Sequence, residues 1–169
     1  MLDIAVREVS WVDRKSGFYL GPLSLELPRE SHTALAGPGG GGKSLLLRLV
    51  AGEIYPPTSG EIFLGTKSVA ALAARRRPVF HTAETMVAPP RWSVRHLLVS
   101  AARQHKGSFD ERMAAIDSAA ARWGLPAVLD RKLGSLADSE RVRARLAQIE
   151  LLRPAIVAVE RLFAPLSPS

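Results

Sequence analysis

The sequence predicts an α/β domain with an antiparallel β part at its N-terminus, a phosphate-loop core, and a helical part placed before a last strand. Three observations carry this. Short, partly alternating apolar stretches broken by turn residues fill positions 2–35. A glycine-rich loop, GPGGGGKS at 37–44, stands between an apolar stretch and a helical one. Capped helical patterns occupy the middle of the chain and give way to a continuous apolar run, AIVAV at 155–159.

Taken in order, LDIAVREVSW alternates in part, DRKSG reads as a turn, and GPLSLELP puts Leu23, Leu25 and Leu27 on one face. HTALA at 32–36 is expected as a strand running into the glycine loop. From Lys43 a helix follows, stopped by Gly52, which can take the left-handed cap conformation. EIYPPTSG is loop, EIFLG a short strand, and RRRPVF leads to a buried strand at Val79 and Phe80. Ser93 caps a helix over VRHLLVSAARQ. Ser108 and Glu111 form a capping-box pattern for the next, which Gly124-Leu125-Pro126 stops. A helix over about 137–152 carries Val142, Leu146 and Ile149 at helical spacing and ends at Pro154. AIVAV reads as a strand covered on both faces.

The 169 residues suffice for one packed domain, and 47% hydrophobic with 23% charged residues is globular composition. Cysteine is absent, which excludes disulfides and thiolate metal sites. No apolar run approaches the roughly 20 residues a membrane span needs, and no signal-peptide pattern opens the chain. The expectation is a cytoplasmic protein, peripheral on the inner membrane face if it serves a membrane. The net charge of +7 serves solubility, or presents a basic face through Arg75, Arg76, Arg77, Arg91 and Arg95.

Gly37, Pro38, Gly39, Gly40, Gly41, Gly42, Lys43 and Ser44 match G-x-x-x-x-G-K-[ST]. Glycines let successive backbone N–H groups curl around phosphate oxygens. The helix that begins beside them, through Leu45, adds its positive end. Lys43 supplies a point charge to the terminal phosphates of a nucleotide such as ATP, and the Ser44 hydroxyl is a Mg²⁺ ligand.

LSLELPRESHTALAGPGGGGKSLLLRLVAGEIYPPTSGEIFLG resembles the opening of the nucleotide-binding domain of ATP-binding cassette (ABC) proteins. The AG that closes the first helix, PTSGEI and Gly65 are its distinctive pieces. RWSVRHLL is similar to that family's entry into its helical subdomain, and LADSERVRARLAQIELLRP keeps the length of its signature helix. The resemblance implies a P-loop NTPase fold of ABC type, here 1–84 as the antiparallel β and phosphate-loop part, 85–133 as the helical subdomain and 134–169 as the signature-like helix and last strand. It implies ATP and Mg²⁺ as ligands, a second ABC-type subunit in a head-to-tail dimer, and a membrane-embedded transporter subunit as partner. It also places an aromatic ring on adenine just after the first strand, for which Trp11 is the nearest candidate, with Tyr19 behind it.

Several positions depart from that pattern. His81 takes the place of the glutamine that senses Mg²⁺ and the γ-phosphate, and imidazole is a poor ligand for so hard a cation. As a lone histidine it reads as a surface or hinge residue. Ala137 has no hydroxyl where the signature serine stands, and Asp138 puts like charge where phosphate would approach. Glu160 takes the place of the acidic residue that holds Mg²⁺ through water. Arg161 falls where the glutamate that activates water would be, and a guanidinium accepts no proton. In a register shifted by one, Glu160 is the catalytic base and Val159 stands at the Mg²⁺ position. Ser167 replaces an aspartate. The family continues with a strand between those of HTALA and AIVAV, ending in a switch histidine. Those two strands would pair directly here, receive a partner's strand, or belong to a truncated domain.

The residues therefore point to an ATP-binding module with weak or absent hydrolysis. An ATPase completed by a partner chain and a nucleic-acid-associated module are the alternatives.

Overall fold

In the computed structural model the described residues are 3–54, 56–82, 88–104 and 106–160. They divide into two compact units. One comprises residues 1–81 with 155–158, the other 82–154 with 159–169.

The first unit is built on strands β1 (Ile4–Val12), β2 (Tyr19–Leu27), β3 (Ser59–Leu64) and the two-residue β4 (Lys67–Ser68), in the spatial order β2-β1-β3-β4. Both neighbours of β1 run antiparallel to it, with Val6 opposite Leu25 on one side and Ile62 on the other. The hairpin over Asp13–Phe18 closes with Asp13 N–H donating to Phe18 O at 2.9 Å and Gly17 N–H to Asp13 O at 2.8 Å. One face of this sheet, with Val6, Val9, Ile62 and Leu64, buries against Leu46, Leu49 and Val50 of α1 (Lys43–Ala51). Leu23, Leu25 and Leu27 alternate as the sequence predicts, each half-buried between exposed neighbours.

The second unit packs α2 (Val94–Ala102), α3 (Phe109–Arg122) and α4 (Asp138–Leu152) around Leu97, Leu98, Ile116, Leu125, Ala144 and Ala147. Alanines at the crossing points let the helices approach closely without leaving voids. The predicted caps form. Ser93 Oγ accepts from His96 N–H at 3.1 Å, and Ser108 and Glu111 complete a reciprocal capping box. On α4 the apolar stripe differs from expectation. Val142 is buried, Leu146 and Ile149 are only half-buried, and Ala144, Ala147, Leu151 and the stem of Arg145 fill the inner face.

Three strand expectations fail. Residues 32–36 join no strand, and all five are exposed, Leu35 by 37%. Their backbone has no sheet neighbour among the described residues, so the apolar character of TALA alone does not make a ladder. Direct pairing with the AIVAV strand is therefore not observed. That strand, β6 (Ile156–Val159), pairs instead with β5 (Val79–Thr82). Ile156 N–H bonds Pro78 O at 3.1 Å and Glu160 N–H bonds Thr82 O at 2.8 Å, an order that makes the two strands parallel. β6 is covered on one face only: Ala158 is buried, while Val157 and Val159 are 42% and 47% exposed. In β5 the buried positions are His81 and Thr82, two residues beyond the expected Val79 and Phe80, which are half-buried. A strand's faces depend on which layers exist around it, and a run of apolar residues does not specify that.

Candidate phosphate site

The cradle is a property of the first unit. Gly40 and Gly42 take φ of 76° and 82°, and Gly42 is the N-cap residue of α1. No side chain caps this end, and the first turn holds no acidic residue. The helix end is therefore positive and favours an anion. Lys43 Nζ folds back over the loop, donating to Gly37 O at 2.8 Å and Pro38 O at 2.6 Å. Ser44 and Leu45 follow in the first turn, with Ser44 exposed. Gly37, Gly39, Gly40 and Gly41 are exposed, so the loop presents its backbone outward.

The aromatic that reaches this loop is Phe18. A Cβ on Gly42 would lie 2.7 Å from Leu20 Cδ1 and 3.5 Å from Phe18 Cζ. Trp11 instead sits in β1 opposite Leu20, half-buried, with its ring packed on the core. Tyr19 is 54% exposed. The sequence reading missed Phe18 because the hairpin geometry, not distance along the chain, brings it to the cradle.

His81 is not a surface residue. Its side chain is 3% exposed, and Nδ1 lies 2.8 Å from Glu53 Oε2. With that nitrogen engaged by a carboxylate, the imidazole does not present it to a cation. Glu53 was not legible as a partner, since 28 positions separate the two.

In the second unit, the start of α4 is occupied by its own charges. Glu140 Oε2 accepts from Ala137 N–H at 2.8 Å, and Arg131 binds the same carboxylate at 3.0 and 3.2 Å. Asp138 pairs with Arg141. No side chain caps the first-turn N–H groups of α4, but the carboxylates of Asp138 and Glu140 in that turn place negative charge, each paired with an arginine, where a phosphate would approach. Glu160 stands at the end of β6, held through its backbone to Thr82. Arg161 and Ser167 lie outside the described residues. Of the basic cluster, Arg77 turns inward and is 7% exposed, and Arg95 forms a bidentate pair with Asp130 at 2.8 and 3.1 Å. Those bonds hold the Asp130 carboxyl below its usual range and raise the Arg95 guanidinium.

No three His, Asp or Glu side chains converge as a metal cage among the described residues. Within the first unit, the oxygen donor that suits Mg²⁺ beside the loop is the Ser44 hydroxyl. No helix among the described residues is long and apolar enough to cross a membrane.

Comparison with known proteins agrees with this geometry. The family model for ABC transporters matches residues 20–159. The thiamine import ATP-binding protein ThiQ of Chelativorans sp. is 33% identical over 155 residues, covering 87% of this chain and 59% of that protein. The sulfoquinovosyl glycerol transport ATP-binding protein SmoE of Agrobacterium fabrum is 30% identical over 134 residues, covering 79% and 37%. The chain thus spans well under two thirds of the length of these relatives. Among solved structures, a bacterial Atm1-family ABC exporter with ATP bound superposes with a TM-score of 0.79 at 22% identity, over 98% of this chain and 30% of that one. A nucleotide-free ATP-binding cassette from an ABC transporter gives 0.72 at 16%, over 94% and 68%. At such identities the structures speak for the fold alone.

Proposed function

Since this chain belongs to the ABC transporter family of ATP-binding domains, we propose that it holds Mg²⁺-ATP on the 37–44 cradle and hydrolyses it weakly or not at all. The observation that carries the reading is the contrast between two ends of one helix. The N-terminus of α1 has no side-chain cap beside Lys43, while at its C-terminus the carbonyls of Arg48, Leu49 and Val50 are bonded within the protein. Backbone N–H groups of residues 40–45 would bind the phosphates, and Lys43 would exchange its loop carbonyls for terminal phosphate oxygens. Phe18, rather than Trp11, is the ring best placed to border the bound nucleotide, with Leu20 beneath the loop.

Mg²⁺ arriving with the nucleotide would take the Ser44 hydroxyl and would neutralise phosphate charge; family resemblance alone nominates Glu160 as a ligand through water. Support for weak hydrolysis is chemical. Arg161 cannot accept a proton from water, and His81 keeps Nδ1 on Glu53. The acidic first turn of α4, with Asp138 and Glu140, disfavours phosphate in a facing site. A role in a membrane transport system, with an ABC-type second subunit and a membrane-embedded partner at the inner membrane face, is the setting we propose for this binding. It rests on what the named relatives do. The nucleic-acid reading loses ground because two of its five arginines are already engaged within the fold.

Equilibrium dialysis with ATP and Mg²⁺ tests the proposal. Wild type should bind better than millimolar, and Lys43→Ala should weaken binding at least about tenfold, the scale of losing a charge-assisted phosphate contact. Unchanged affinity in Lys43→Ala would sink it. Steady ATP turnover by the wild-type chain would remove the claim of weak hydrolysis, whereas turnover gained only on Arg161→Glu would support it.

A further inference from the structure

The end of α1 opposite the cradle is held by a buried polar assembly that the nucleotide site itself does not require. Arg77 donates from Nη1 to Leu49 O at 2.7 Å and to Val50 O at 2.9 Å, the carbonyls that close the helix. The same guanidinium reaches back with Nε to Leu72 O at 2.8 Å and with Nη2 to Ala70 O at 3.1 Å. No carboxylate takes part in these bonds. Four carbonyl dipoles and the negative end of α1 are what compensate the buried charge. Burial pulls the Arg77 pKa down, the signature of that desolvation.

Gly52 makes room for this. It is left-handed, with φ 76°, and a Cβ there would lie 2.5 Å from Arg77 Nε. Gly52 N–H and Glu53 N–H bond Leu49 O and Arg48 O at 3.1 and 3.0 Å, so the carbonyls of Arg48, Leu49 and Val50 are all engaged. Glu53 then places its carboxylate on buried His81, which fixes the residue after the helix to β5.

We infer that Arg77 and the Glu53–His81 pair form a clamp on the C-terminal end of α1, and that they are positioning residues setting the phosphate affinity of the cradle at its other end. This rests on the nucleotide-binding reading above. The physical reason is length. Nine residues make about 13 Å of helix, shorter than a helix that holds itself in water. A helix this short moves as one rod, so freedom at Leu49–Glu53 becomes freedom at Lys43 and Ser44. Fixing the far end removes that freedom before the ligand arrives, and preorganisation of this kind is returned as affinity. In this chain His81 therefore works through Glu53 on the rod and leaves ion sensing to other groups.

The test uses the whole chain in four forms: wild type, Arg77→Met, Glu53→Ala and Ile62→Val. Arg77→Met keeps the apolar stem and removes every donor. Glu53→Ala changes a half-exposed residue that the fold tolerates. Ile62→Val is a core control that loosens the same unit without touching the clamp. Hydrogen exchange at the Leu46–Ala51 amides is read without nucleotide, and ATP binding by dialysis. Arg77→Met is expected to speed exchange in α1 and to raise the ATP Kd about tenfold, and Glu53→Ala about threefold, the range of losing one or two ordering contacts. Ile62→Val should leave the ATP Kd within twofold of wild type.

If both clamp variants bind ATP as the control does, the proposal is overturned, even should exchange change. If Arg77→Met does not fold, Glu53→Ala decides alone. If wild type binds no ATP, the nucleotide reading fails, and exchange in α1 then judges the clamp: unchanged exchange removes it, faster exchange keeps its structural half.

Discussion

At the scale of single residues, the site depends on what cannot be added as much as on what is present. Gly42 combines a left-handed backbone with a neighbour, Leu20 Cδ1, that would sit 2.7 Å from any Cβ. Gly42→Ala is therefore expected to push Leu20 or the loop aside, adding strain of about 1–2 kcal/mol. The measured outcome should be a weaker ATP Kd together with a lower melting temperature. A variant with wild-type values in both would show that the loop accommodates a methyl group. GKS was legible as a phosphate motif because its chemistry is local, in consecutive residues. Phe18 was not, because its role comes from the hairpin that returns β2 past the loop. His81 shows the same division: its identity signalled a departure from the family, but its burial and its bond to Glu53 arise only when α1 and β5 pack.

At the scale of elements, the caps were readable and the strand faces were not. Ser108 and Glu111 satisfy two backbone donors at the start of α3, with Ser108 N–H to Glu111 Oε2 at 2.6 Å. That hydrogen bond holds the Glu111 carboxyl below the ordinary glutamate value of 4.5. The sign follows from linkage. The unfolded chain takes up this proton more readily than the folded one, so the contribution is complete above 4.5 and is lost as the pH falls through the lower folded value. Asp130, lowered by Arg95, behaves alike. Ser108→Ala should cost about 1 kcal/mol, or roughly 2–4 °C in Tm for a chain of this size. Glu111→Ala should lower Tm at neutral pH, and its difference from wild type should close as the solution is acidified below 4.5. A difference that persists in acid would mean that Glu111 acts through packing and not through its charge. By contrast, AIVAV fitted a doubly covered strand by composition alone, yet β6 leaves Val157 and Val159 in solvent. The apolar run records an affinity for burial without stating what supplies it.

At the scale of the whole molecule, two separate features invite association: residues 32–36 join no ladder, and β6 ends its two-stranded sheet with exposed valines. Such edges template pairing with other strands. The purified 169-residue chain is expected to self-associate in a concentration-dependent way, and Val157→Lys to reduce that association by placing a charge on the edge. Sedimentation velocity over a concentration series measures it. Wild type and variant remaining equally monomeric would show that the edge is protected. The net charge of +7 opposes association at low ionic strength, so added salt should strengthen it if apolar pairing drives it.

The sequence by itself determined the family, the place of the phosphate cradle, the helix that follows it with its glycine stop, and the caps of the helical unit. Each of these is written in residues three or four apart, where backbone sterics and local hydrogen bonds decide the outcome. Only the tertiary structure decided that HTALA pairs with nothing described, that one face of β6 is bare, that Phe18 reaches Gly42, and that Arg77 and His81 hold α1 from behind. Those facts depend on which surfaces meet across tens of residues, and burial is a property of the partner as much as of the residue.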